Sequence, residues 1–235
     1  MVINNIKGQW NKGIYLLLLL HVMVGTSCKD GQNKKEATST IQKDSTMDPL
    51  PVDSRTILFV GTSLTAGYGL DPEQAYPALI QQRLDSLGVN FRIINAGISG
   101  ETSSSGKNRI AWLLKQQIDI FVLELGANDG LRGLPVDETK KNLSEIIQAV
   151  KKKYPSVKVI LAGMQVPPNM GKKYSQDFKA IYPEIASSEK AYLIPFLLDK
   201  VAGETALNQQ DGIHPTIEGQ KILADNVWVI LKELI

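Results

Sequence analysis

Four groups of residues have the types and spacing to do chemistry. Ser63 lies in Gly61-Thr62-Ser63-Leu64-Thr65-Ala66-Gly67-Tyr68-Gly69-Leu70, directly after the apolar run Ile57-Leu58-Phe59-Val60. Such a run predicts a buried parallel strand, and glycines on both sides of Ser63 allow a tight, exposed corner into a helix. That corner can present a nucleophile. It can equally be a plain glycine-rich turn or a phosphate cradle at a helix start. Its glycine spacing fits neither a dinucleotide fingerprint nor a P-loop, since no Gly-Lys-Ser/Thr follows. The second group is Asp211-Gly212-Ile213-His214-Pro215. Asp and His three apart can share one turn, the carboxylate holding one imidazole nitrogen and leaving the other free as a base. Alternatively, Asp211-Gly212 is a turn and His214 a surface residue before a proline-started helix. Ser99-Gly100 and Asn128-Asp129 are the third and fourth groups, each in a polar, glycine-containing segment.

The elements that must position these groups alternate along the chain. Strands are expected at Ile57 to Val60, Phe91 to Ile94, Ile118 to Leu125, Val157 to Leu161 and Tyr192 to Ile194. Helical spacing of apolar residues marks Ala75 to Leu87, the region of Ile110 to Leu114, Asp137 to Lys153 and Thr216 to about Leu234. Alternating strands and helices imply an α/β parallel sheet with helices on both faces. In that architecture the loops leaving the C-terminal strand ends share one rim, where ligands bind. Ser63, Ser99 with Gly100, and Asn128 all follow strands and converge there.

With 235 residues, 43% hydrophobic and 21% charged, the chain can bury one sizeable core. A net charge of +2, with both signs interspersed, argues against a nucleic-acid partner and points to small molecules. Lys7 and Lys12, the apolar stretch Gly13 to Val24, and Gly25-Thr26-Ser27 before Cys28 form a signal-peptide pattern over residues 1–27. The apolar stretch is short for a membrane span and is interrupted by His21. Cys28 is the single cysteine, so no intrachain disulfide forms. The arrangement resembles a bacterial lipoprotein signal, which implies lipidation at Cys28, export and a membrane anchor in the cell envelope; Gly25 stands where that pattern usually has leucine. Simple secretion with an unmodified cysteine is the other reading. Residues 28–54 are polar and contain Pro49 and Pro51, as expected of a flexible tether to a domain spanning 55–235. Removal of the leader takes His21 away and leaves His214 as the only imidazole. Serine catalysis here must therefore use His214 or a lysine. No cofactor is implied, and a lone histidine without clustered ligands suggests no metal site.

Taken together, these blocks resemble the SGNH, or GDSL, hydrolase family, named for a serine, a glycine, an asparagine and a histidine in four blocks. Ser63 in Gly-Thr-Ser-Leu, Gly100 in Ile-Ser-Gly-Glu-Thr, Asn128 in Gly-Ala-Asn-Asp, and Asp211 with His214 in Asp-Gly-Ile-His-Pro occur in that order. Leu125 to Gly133, and Pro168-Asn169-Met170-Gly171 with Tyr174, Phe178 and Ile181-Tyr182-Pro183, are similar to the bacterial acyl-CoA thioesterase I, lysophospholipase and arylesterase branch. Thr62 departs from the family, which usually has aspartate beside the serine.

The resemblance implies a three-layer α/β/α sandwich of flavodoxin-like type with a five-stranded parallel sheet. It also implies hydrolysis of acyl esters or thioesters by Ser63, with His214 as base and Asp211 as its orienter. An oxyanion hole would be formed by the N–H groups of Ser63 and Gly100 and the Asn128 amide. For Gly100 the alternative is a loop glycine, and for Asn128 a helix cap or turn residue. The resemblance further implies a mobile substrate loop containing Pro168, Met170, Tyr174 and Phe178. Met164 and Val166 join Met170, Tyr174 and Phe178 as residues that can line an acyl pocket or pack in a core or lid. Glu124 and Asp129 read most simply as structural carboxylates. Within the family, deacylation of carbohydrate or cell-wall esters is an alternative; from another functional class comes a non-catalytic lipid- or glycan-binding lipoprotein that keeps the fold but not the chemistry.

Overall fold

The structure is a computed structural model that describes residues 55–235. The expected signal peptide, Cys28 and the tether lie outside the described residues.

Five strands form one parallel sheet in the order β2-β1-β3-β4-β5: β1 Arg55–Gly61, β2 Phe91–Gly97, β3 Ile120–Glu124, β4 Lys158–Ala162 and β5 Tyr192–Ile194. The three inner strands, β1, β3 and β4, are buried at every position except Arg55 and Lys158, which is what strands covered on both faces require. β1 pairs with β2 on one side and β3 on the other, and the register puts Gly61 beside both Gly97 and Glu124. The sequence order reverses direction around β1. The crevice at the carboxyl ends of β1, β2 and β3 is therefore the switch point where such sheets bind ligands.

The helices are α1 Ser63–Ala66, α2 Tyr76–Ser86, α3 Ser103–Leu113, α4 Ala127–Leu131, α5 Val136–Lys153, α6 Lys172–Ser188 and α7 Ile217–Leu231. α2 packs with α7, while α5 packs between α3 and α6, giving the two helical layers of an α/β/α sandwich. α5 shows the local logic. It buries Leu143, Ile146, Ile147 and Val150 at helical spacing, and carries Asp137 and Glu138 in its first turn and three lysines in its last.

One expectation needs correction. The Pro168 to Phe178 region was expected to be a substrate loop, but only Pro168–Met170 is a short 3-10 turn, and α6 begins at Lys172. Phe178, Ile181, Tyr182 and Ile185 recur at helical spacing and are buried in the core. Burying that stripe outweighs the helix-breaking tendency of Pro183, which lies inside α6.

Candidate active site

The corner after β1 is built as the glycines suggested. Thr62 is the N-cap of α1, Ser63 its first residue, and Gly67 closes it in the left-handed region at φ 73°. The corner sits close on β2. A Cβ on Gly97 would fall 2.4 Å from the Ala66 amide nitrogen and 2.8 Å from the Thr65 carbonyl carbon, so β2 must end in glycine for α1 to lie there.

His214 reaches this corner from the other end of the chain. Its Nε2 is 2.9 Å from Ser63 Oγ, and its Nδ1 is 2.6 Å from Asp211 Oδ2. The second carboxylate oxygen, Oδ1, accepts the backbone N–H groups of Ile213 and His214, each at 3.0 Å. Asp211 and His214 thus share one turn. Those bonds, led by the His214 N–H and followed by the imidazole, hold the Asp211 carboxyl down at about 2. An ionised Asp211 accepts Nδ1–H and leaves Nε2 as the acceptor for the Ser63 hydroxyl.

Side chains that the sequence did not single out fasten the histidine loop to the serine corner. Gln209 donates its amide to the carbonyls of Tyr68 at 2.7 Å and Pro215 at 3.0 Å, while its backbone N–H donates to His214 O at 2.7 Å. Gln220, buried in α7, accepts the Tyr76 N–H at 2.9 Å and donates to Leu64 O at 3.3 Å. The Tyr68 ring packs on the imidazole. Glutamines six and more than a hundred residues from the partners of their side chains leave no signal in spacing. Tyr68, inside the Ser63 glycine stretch, could have been suspected from its place alone.

Gly100 adopts φ 78°, a conformation that favours glycine, and its carbonyl accepts from the Arg132 guanidinium at 3.0 Å. Asn128, in the first turn of α4, donates one amide N–H to Glu101 O at 3.0 Å. An amide nitrogen carries two donors, so that bond orients Asn128 and leaves one N–H to spare. Glu101 is itself buried and paired with Arg109, which also donates to Ala96 O at 2.6 Å. Among the described residues, the backbone N–H groups of Ser63 and Gly100 have no hydrogen-bond partner. Unpaired donors at a strand-end crevice are what an anion-stabilising site requires.

Ser63, Gly100, Asn128 and His214 all line one cavity of about 790 Å³. Its remaining walls are mostly apolar: Leu64 of α1 and Leu131 of α4, Met164, Val166, Pro167 and Pro168 after β4, and Phe196, Leu198 and Ala202 after β5. Of the expected substrate-loop residues only Pro168 reaches the cavity. Tyr174 instead donates its hydroxyl to Leu134 O at 2.7 Å, Phe178 is fully buried in the core, and Met170 packs against that core.

Two carboxyls stand behind the site. Asp129 accepts Ser103 N at 2.8 Å and Ser103 Oγ at 2.5 Å, tying α4 to the start of α3. Glu124, fully buried at the end of β3, accepts Thr62 N at 2.7 Å, Thr62 Oγ1 at 3.0 Å and Thr65 Oγ1 at 2.8 Å. Burial pushes its carboxyl up to about 7 despite these donors.

A sequence profile of the GDSL-like Lipase/Acylhydrolase family matches residues 59–222. The chain is 42% identical to Esterase TesA of Pseudomonas aeruginosa over 183 residues, covering 77% of this chain and 90% of that protein. It is 39% identical to Thioesterase 1/protease 1/lysophospholipase L1 of Escherichia coli K12, over 72% of this chain and 80% of that one. The crystal structure of TesA superposes with a TM-score of 0.74 at 42% identity, covering 77% of this chain and all of the other. On these matches, and with the strand order and rim expected of that fold, the chain belongs to the GDSL-like lipase/acylhydrolase family and is an ester or thioester hydrolase.

Proposed function

We propose that Ser63 is the nucleophile, His214 the general base and acid, and Asp211 the orienter, in the hydrolysis of esters or thioesters of hydrocarbon acyl groups. The observation that carries this reading is the unbroken hydrogen-bonded line Asp211–His214–Ser63 opening into a mostly apolar cavity. Ser63 Oγ attacks the acyl carbonyl carbon while Nε2 takes the hydroxyl proton. The negative oxygen of the tetrahedral intermediate takes the N–H groups of Ser63 and Gly100 and the spare Asn128 N–H. Collapse breaks the bond to the leaving alcohol or thiol, which receives the proton from Nε2. Water then attacks the acyl-enzyme, His214 accepts its proton, and the acid departs as Ser63 recovers its hydrogen.

Aryl esters, lysophospholipids and acyl-CoA all offer an acyl chain suited to such walls. The names of the two relatives, an esterase and a thioesterase/lysophospholipase, support ester, thioester and lysophospholipid substrates. The leader over residues 1–27, directly before Cys28, supports an exported enzyme held at an envelope membrane by a lipid on that cysteine. No helix among the described residues is long and apolar enough to cross a membrane.

A panel of p-nitrophenyl esters, acyl-CoA, lysophospholipid and acetylated sugar tests the proposal. Turnover of the acyl-chain substrates, resistant to chelator and abolished in Ser63→Ala, is expected. Activity intact in Ser63→Ala rejects the mechanism, and preference for the acetylated sugar rejects the substrate class. Mass spectrometry of the mature N-terminus checks the anchor at Cys28.

A further inference from the structure

The serine corner is held from beneath by a carboxyl that the chemistry of the triad does not use. Glu124 ends β3 directly beside Gly61, the last residue of β1. A Cβ on Gly61 would lie 2.6 Å from Glu124 Oε2, so the carboxyl fills the space that a side chain there would need. The corner points three donors into this dry space: the Thr62 N–H, the Thr62 hydroxyl and the Thr65 hydroxyl. Thr62 is 1% exposed and Thr65 fully buried, so no water replaces a lost acceptor without opening the site. Only an acceptor-rich side chain can serve all three at once.

The surroundings make this carboxyl a device for holding the corner, not one half of an ion pair. Among the described residues no cation pairs with it. The titratable groups facing it are Tyr76 from α2, whose hydroxyl lies 2.7 Å from Thr65 Oγ1, and Tyr182 from α6, which donates to Leu125 O at 3.1 Å. Asp129 of α4 lies beyond Tyr182. Since the Thr65 proton goes to Glu124, the Tyr76 hydroxyl donates to Thr65, completing a directed chain from α2 through α1 to β3.

Thr62 is the link between this chain and the reacting atoms. Its hydroxyl is 3.0 Å from each Glu124 oxygen, and it also accepts the Leu64 N–H at 3.4 Å as the α1 cap. A hydroxyl can donate to a carboxylate or accept from a carboxylic acid, so Thr62 suits either form of Glu124. A second carboxylate at position 62 could not donate to the ionised form. Ser63 follows immediately, so the bonds on Thr62 fix both the Ser63 N–H and the direction of its side chain.

We propose that Glu124 is a positioning residue for the nucleophile: by gripping Thr62 and Thr65 it sets where the Ser63 hydroxyl stands relative to His214 and where the Ser63 N–H points. The proposal rests on Ser63 being the nucleophile.

The test compares full-length wild type with Ser63→Ala, Glu124→Gln, Thr62→Val and Thr62→Ser. Active sites are counted by exhaustive reaction with a fluorophosphonate, and kcat and KM are measured on a p-nitrophenyl ester. A lost hydrogen bond to a buried carboxyl predicts a fall of about tenfold or more in kcat per titrated site for Glu124→Gln and Thr62→Val, with KM changed by less than about twofold. Thr62→Ser keeps the hydroxyl and loses much less than Thr62→Val. A purely structural carboxyl would lower yield and melting temperature while leaving kcat per titrated site unchanged, and that result overturns the proposal. If Glu124→Gln does not fold, the valine and serine variants at position 62 decide by the same measure. Activity surviving in Ser63→Ala would overturn the nucleophile assignment itself, a failure visible separately from that of Glu124.

Discussion

The Tyr68 ring lies 4.5 Å from the His214 imidazole, centroid to centroid, with the planes tilted by 37°. Tyr68 comes from the serine corner and His214 from the loop before α7, so the contact joins two parts of the proposed triad without a hydrogen bond. An aromatic pair of this kind is worth about 0.5–1.5 kcal/mol, which corresponds to roughly two- to tenfold in rate if it acts only on the aligned imidazole. Tyr68→Ala is expected to lower kcat by that factor on p-nitrophenyl esters, and Tyr68→Phe to lose much less. Equal losses in the two variants would assign the effect to the hydroxyl instead.

Asn128→Ala should reduce kcat by about a hundred- to a thousandfold with little change in KM, because the amide is asked to bind the developing charge and not the substrate. Unchanged turnover in steady-state assays would remove Asn128 from the oxyanion hole and leave it as the residue that ties α4 to Glu101.

Stability should fall as pH rises through neutrality. Glu124 is pushed up from its ordinary value of 4.5 to about 7, so between those values the folded chain holds a proton that the unfolded chain has released. Its contribution is fully present below about 4.5 and lost as pH rises through about 7, on the order of 3 kcal/mol across the window. Asp211 has the opposite sign. Its carboxyl is lowered, so its share is lost only as pH falls through about 2, outside that window. Urea unfolding of wild type at pH 5 and pH 8 measures the slope, and Glu124→Gln should flatten it. A wild-type chain as stable at pH 8 as at pH 5 contradicts the assignment.

Gly97→Ala tests how closely the corner must sit on the sheet. The new methyl would meet backbone atoms of Thr65 and Ala66, which cannot swing aside as a side chain can. Overpacking of this kind costs about 1–3 kcal/mol, and any relief must move α1 and with it Ser63. A lower melting temperature together with a lower kcat per fluorophosphonate-titrated site is expected. A variant with a lower melting temperature but normal kcat would show that the sheet, not α1, absorbs the strain.

The sequence displays Ser63, Gly100, Asn128 and the Asp211–His214 pair because each stands in a short glycine-marked block at the end of a strand or before a helix. α6 was hidden by Pro183 and by the prolines preceding it, although Phe178, Ile181, Tyr182 and Ile185 carried the helical period. Glu124 shows in the sequence only as a structural carboxylate, and its partners are hidden for another reason. A carboxylate closing an apolar strand has no meaning until Thr62, Thr65 and Tyr76, from the cap of α1, α1 itself and α2, are seen around it. Gln209 and Gln220 likewise gain their roles from folding alone, since each joins segments more than a hundred residues apart.

Gln220 sits in α7 and grips the carbonyl of Leu64, next to Ser63, while His214 lies 151 residues along the chain from the serine it contacts. In chain order the proposed nucleophile is made 151 residues before the imidazole paired with it. On the proposed mechanism the growing chain therefore carries Ser63 without its base until His214 has been made and the segment leading into α7 has packed against the serine corner. Latency during biogenesis thus follows, on that mechanism, from the order of the chain.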